Sequence, residues 1–128
     1  MRAIYATIAL IMSSTSEAHE MLPTYPELKP SYVSGVVVAQ MRMFNKRRDV
    51  EFYEVAVFDE DWNSVPFVTG YRILKVKYLS HVNFDVYVRE SDAKRAQFIC
   101  STSKMRSGSI EGTVVASRIC SKFAESRP

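Results

Sequence analysis

Long apolar runs, glycine-rich loops and clustered metal ligands are all missing from this chain of 128 residues. No apolar stretch approaches the roughly 20 residues of a membrane-spanning helix, so no permanent transmembrane segment is expected. Two cysteines and two histidines, with no CxxC and no Cys/His cluster, leave thioredoxin-like and zinc chemistry without ligands. GxSxG, Walker, HExxH and dinucleotide-binding signatures are absent as well, so no catalytic residue, no metal and no cofactor is expected. The charges, 17 basic against 14 acidic, are dispersed and sum to +3. That balance lacks the dense basic stripe of a dedicated nucleic-acid binder.

What is present is alternation. Within Tyr71–Glu90, Leu74, Val76 and Tyr78 interleave with lysines, and Val82, Phe84, Val86 and Val88 interleave with polar residues. A period of two marks strands with one face in a core. Ser80 and His81 lie between the runs, where two strands or one bent strand would fit. A further strand is expected from about Val33. Val33, Val37, Ala39, Met41 and Met43 share one face, and Val36, Val38, Gln40, Arg42 and Phe44 the other. Asn45–Asp49 reads as a polar hairpin connection, placing Glu51–Phe58 antiparallel to that strand. Its Lys46, Arg47 and Arg48 tip reads as a solvated turn.

The expected fold is therefore mainly β: a single small antiparallel sheet, a sandwich or an open barrel. A short C-terminal helix is an option, with α+β as the alternative. Residues 113–123 carry the ambiguity, since Val115, Ile119 and Phe123 suit a helix face while Val114, Ala116 and Cys120 alternate as a strand would. The strand reading pairs Gln97–Ser101 with Thr113–Cys120 and brings Cys100 beside Cys120 for a disulfide. Ser91 is a candidate cap for a short helix over SDAKRA.

Arg2, the apolar run Ala3–Met12 and the small residues to Ala18 have the layout of an export signal, with His19 as a loose first mature residue. Residues 1–18 are thus read as a signal peptide. Residues 19–34 read as an extended arm punctuated by Pro23, Pro26 and Pro30, residues 35–124 as one β-rich domain, and residues 125–128 as a polar tail. The expected location is periplasmic or extracellular, where a cysteine pair is oxidised.

Asp59, Asp61 and Asn63 occupy the first, third and fifth positions of a calcium loop. Ser64 and Gly70 stand where that loop needs glycine and glutamate, which excludes it. His81 with Asp85 or Asp92 is the one acid–base pairing available to a small secreted hydrolase or toxin. Arg72, Lys75 and Lys77 with Tyr71, Tyr78 and Tyr87 mix basic and aromatic side chains as base-stacking sheets do, but the export signal disfavours nucleic acid. The leading expectation is a non-catalytic exported protein acting on other proteins. It would be a small subunit of a cell-envelope or secretion-type multi-subunit assembly, or an inhibitor-like binder. Tyr25, Tyr32, Trp62, Arg72, Lys75 and Lys77 are its candidate partner-binding residues.

Overall fold

A computed structural model describes residues 19–104 and 117–124. The readings for residues 1–18, 113–116 and 125–128 lie outside that range. The strands are β1 (Glu20–Leu22), β2 (Lys29–Pro30), β3 (Val36–Phe44), β4 (Phe52–Phe58), β5 (Ile73–Lys75), β6 (His81–Arg89), β7 (Phe98–Lys104) and β8 (Arg118–Lys122). One short helix, α1 (Glu90–Ala93), follows β6. They form two four-stranded antiparallel sheets. In sheet A, β3 pairs with β6 along one side and with β1 and β2 along the other. Sheet B runs β5-β4-β7-β8.

Alternation decides which side chains meet between the layers. Val37, Ala39, Met41 and Met43 of β3 and Phe84, Val86 and Val88 of β6 are buried from sheet A. Tyr53, Val55 and Val57 of β4, Leu74 of β5 and Ile99 of β7 are buried from sheet B, with Phe123 just past β8. They form one core. Each buried valine or larger apolar side chain contributes about 1.5–3 kcal/mol, so the two alternating faces account for most of the drive to stack the sheets.

The expected hairpin between β3 and β4 does not form. β3 pairs with β6 in register from Val36↔Arg89 to Phe44↔His81, and β4 lies in the opposite sheet. The physical cause is Asn45, which is fully buried. Its Nδ2 donates to the Val50 carbonyl at 2.7 Å and the Val76 carbonyl at 2.8 Å. Its Oδ1 accepts from the Arg47 N–H at 2.9 Å and the Tyr53 hydroxyl at 2.5 Å. Asn45–Asp49 therefore crosses from one layer to the other. Tyr71–Glu90 is also divided: β5 belongs to sheet B and β6 to sheet A, joined by a turn in which Leu79 takes a positive φ of 58°.

Two local expectations need correction. The first long strand starts at Val36, because Ser31 and Val33 close a turn with Gly35 at φ 78° and Val33 is exposed. Ser91 lies inside α1, whose N-cap position is Arg89 with no side-chain cap. The strand reading of the segment ending at Cys120 holds over Arg118–Lys122, which pairs with β7 so that Cys100 faces Cys120 and the disulfide forms.

Residues 20–30 lie along the domain in an unusual path. Met21 and Leu28 enter the core while β1 and β2 pair with β3. Between them the chain reaches sheet B, where the Thr24 carbonyl accepts from Lys122 N–H at 3.1 Å and the Pro26 carbonyl from Ala124 N–H at 3.0 Å. Proline has no N–H to donate, and this segment meets sheet B through carbonyls.

Candidate interaction surfaces

Beside the Asn45 joint, the described interior holds a second polar cluster, and it starts from a residue expected to be loose. His19 is buried, its Nε2 2.7 Å from Ser101 Oγ and 3.2 Å from the Ser101 carbonyl. Nδ1 lies 3.2 Å from Ser117 Oγ, which also accepts from Arg47 Nη1 at 3.2 Å. The Ser101 carbonyl can only accept, so Nε2 carries a proton, and in the neutral ring Nδ1 accepts from the Ser117 hydroxyl. Burial holds the His19 pKa below its ordinary value, and the positive charge of Arg47 pushes the same way. The Tyr53 ring packs against the imidazole at 4.4 Å. Burial lifts the Tyr53 hydroxyl pKa to about 12. His19 and Ser101 are sealed from solvent, so this arrangement clasps the amino-terminal strand to sheet B and has no face for a substrate.

The acid–base pairing considered for His81 has no geometry behind it. His81 is exposed at the start of β6, and Asp85 is four residues along the same strand, about 13 Å away at strand spacing. Asp92 instead accepts from the Arg95 guanidinium, 3.2 Å away. Asp59, once the calcium-loop reading is excluded, closes its own turn by accepting from the N–H groups of Asp61 at 2.9 Å and Asn63 at 2.8 Å. The expected solvated basic turn is internally engaged. Lys46 pairs with Glu20 at 3.2 Å, Arg47 makes a two-point bond to Asp49, and Arg48 lies over the Tyr78 ring.

The six candidate contact residues fall on three separate surfaces. Trp62 is half exposed, with a positive φ of 64° imposed by the Asp59 turn. Its indole stacks on Phe98 with centroids 4.5 Å apart, and Arg118 lies over both Phe58 and Trp62. Arg72, Lys75 and Lys77 follow the β5 edge, with the Arg72 guanidinium over Phe67. Lys75 sits opposite Phe52, at the far end of β4 from Phe58 and so about 20 Å from the Trp62 cluster. Tyr25 and Tyr32 converge elsewhere, on the outward face of sheet A.

That face carries a groove of about 660 Å³ walled by the proline-containing segment on one side and floored by β3 and β6. Tyr87, from the basic-aromatic mixture of the Tyr71–Glu90 stretch, belongs to this groove and is remote in the fold from Lys75. Glu27, Gln40 and Asp85 also line it and were missed as site residues. Nothing local distinguishes them from ordinary solvent-facing positions of alternating strands. A smaller hollow of about 230 Å³ continues on the same face beside Leu22, Arg42 and Phe44.

β8 is an outer strand of sheet B. The bonds Phe123 N–H to Gln97 and Ser103 N–H to the Ser117 carbonyl direct its odd-numbered backbone groups to β7. Even-numbered groups point outward, where those of Lys122 and Ala124 bond residues 24 and 26. Among the described residues, no strand is paired with the outer side of Arg118–Cys120, although β1 approaches β8.

No protein-family model matches the chain, and no curated protein matches it. The fold is similar to that of the E. coli chaperone DraB, with a TM-score of 0.63 and 14% identity over 83% of this chain and 53% of that one. This chain thus spans about half the length of DraB. A FixG-related protein from Vibrio parahaemolyticus is a weaker likeness, with a TM-score of 0.48 and 14% identity over 84% of this chain and 96% of that one.

Proposed function

We propose that this is a non-catalytic exported protein that works by protein–protein contact, as a small subunit or accessory chain of a cell-envelope or secretion-type assembly. The observation that carries the reading is the outer edge of sheet B at Arg118–Cys120, with which no described strand is paired, beside the exposed Trp62 and Arg118 cluster. Outward N–H and C=O groups on such an edge are a template for a strand from a partner, with an aromatic and an arginine beside it as anchors. The fold likeness to a chaperone supports the same direction, and the Cys100–Cys120 disulfide is consistent with passage out of the cytosol.

Chemical crosslinking of the native exported protein, followed by mass analysis, tests this reading. Defined partner chains are expected. Arg118→Pro removes one outward N–H while leaving the β7 ladder intact, so it should deplete those crosslinks at unchanged folding. A wild-type protein that remains alone under these conditions would sink the proposal.

A further inference from the structure

The outward face of sheet A combines three features. Tyr25 is 66% exposed and Tyr32 fully exposed, and with Tyr87 they line the groove beside Pro30. Glu27 and Asp85 stand exposed in the same groove and form no ion pair among the described residues. Lys29, the cation that also lines it, is opposite Val38 on one side of β3, while Asp85 is opposite Gln40 on the other, which separates the two by two strand spacings. Lys29 stands two residues from Glu27, and Arg42 lines the adjoining hollow. The groove lining itself carries two carboxylates and one ammonium, an excess of one negative charge to be met by a ligand.

The backbone of the floor narrows the choice. β3 is already paired with β2 and β6, so its N–H and C=O groups are taken and a peptide lying over it cannot be held by a strand ladder. A polyproline-II segment needs no ladder, since its backbone carries no internal hydrogen bonds, and it docks by laying proline rings against aromatic side chains. Its stiffness also reduces the ordering cost of binding. We infer that this groove binds an extended, proline-containing segment of a partner protein that bears arginine or lysine, the prolines on the tyrosines and the cations on Glu27 and Asp85. The inference rests on the reading that the protein acts by protein contact, and it uses a different surface from the β8 edge.

Fluorescence anisotropy with the purified exported protein provides the test. The probe is a labelled peptide of about ten residues in polyproline-II conformation with proline at every third position and two arginines. Companion peptides replace arginine by glutamate or proline by alanine. Submillimolar binding of the basic proline peptide is expected, with both companions about tenfold weaker. Asp85→Lys and Tyr32→Ala should each weaken it about tenfold, and both residues are exposed, so melting should be unchanged. Equal binding of the glutamate peptide, no binding at millimolar concentration, or insensitivity to Asp85→Lys would overturn the inference. Preferential binding of a neutral oligosaccharide, or a dimer in sedimentation that Asp85→Lys abolishes, would also overturn it. Failure of the peptide while wild-type crosslinks persist removes the groove and leaves the assembly reading intact. Absence of wild-type crosslinks removes that reading on its own.

Discussion

The outward faces of the two sheets are built on opposite terms. On sheet B, side chains satisfy one another across strands: Cys100 bonds Cys120, Lys104 pairs with Glu54 at 2.7 Å, and Phe58, Phe98, Trp62 and Arg118 stack. On sheet A, Glu20 pairs with Lys46 at one end, but Glu27, Lys29 and Asp85 around the groove remain without ion pairs among the described residues, and Tyr25 and Tyr32 stand in solvent. Both faces alternate with equally buried inner faces, so packing alone does not explain the contrast. A sheet whose surface groups already answer one another offers a partner its edge. One whose surface groups are unanswered offers its face.

The strongest way to break this comparison is to remove the joint that keeps the layers distinct. Asn45→Ala would strip partners from the buried carbonyls of Val50 and Val76, the Arg47 N–H and the Tyr53 hydroxyl. Each buried group left unsatisfied costs about 1–3 kcal/mol, and some will relax toward solvent, so a loss of about 4 kcal/mol is expected from denaturant unfolding. A loss below about 1 kcal/mol would show that the crossover does not depend on this side chain. Next in size is the covalent staple of sheet B. Cys100 and Cys120 are 20 residues apart, a loop whose closure is worth roughly 3 kcal/mol in the chain-entropy model. Replacing both by serine should lower the denaturation midpoint accordingly while leaving peptide binding on sheet A unchanged. A parallel loss of both would mean that the faces are not independent.

The crossover at Asn45 also marks where the amino-acid sequence stops being a guide. The strands β3, β4 and β6 are legible as strands because each buries alternate residues, and that pattern is local. Their partners are not local. A polar Asn-Lys-Arg-Arg-Asp stretch has the composition of a hairpin, and only the burial of one amide between the Val50 and Val76 carbonyls and the Tyr53 hydroxyl turns it into a crossing between sheets. The cysteine pairing was legible through an even count and a plausible hairpin, because Gln97–Ser101 and the segment ending at Cys120 both alternate. The groove was half legible. Tyr25 and Tyr32 stand out as aromatics in a proline-rich segment, but Glu27 and Asp85 acquire meaning only when β3 brings that segment beside β6. His19 carried no signal, since the serines that hold it are 82 and 98 residues away.

His19 supplies a test of how the two sheets are held at that end. Its folded-state pKa is lowered, first by burial, with Arg47 acting in the same direction. The unfolded chain therefore takes up the proton first as pH falls through about 6.5, and between that value and the folded pKa the unfolded state binds more protons. Stability should be full above about pH 6.5 and decline as pH falls below it. The Arg47 hydrogen bond lowers the Asp49 pKa, so its contribution is lost only in a separate, more acidic window below its ordinary value of 3.8. Urea titrations at stepped pH should show the first decline in the wild type and its flattening in His19→Gln. Protection of the β1 amides against hydrogen exchange should fall in the same window. An unchanged decline in His19→Gln would assign it elsewhere.

The smallest effect sharpens the contrast most directly, because it compares one carboxylate on each face. Glu54 is paired with Lys104 across neighbouring strands, both side chains roughly half exposed, and such a pair is worth about 0.5 kcal/mol. Asp85 has no cation partner among the described residues, so its charge contributes nothing of that kind to the fold. Glu54→Gln should cost about 0.5 kcal/mol at low ionic strength and less at high salt, while Asp85→Asn should leave stability within about 0.3 kcal/mol and unresponsive to salt. Peptide binding should reverse that order, with Asp85→Asn the weaker binder and Glu54→Gln unaffected. Stability data alone would make Asp85 look dispensable, and the paired measurement distinguishes a charge used for folding from one left free for a partner.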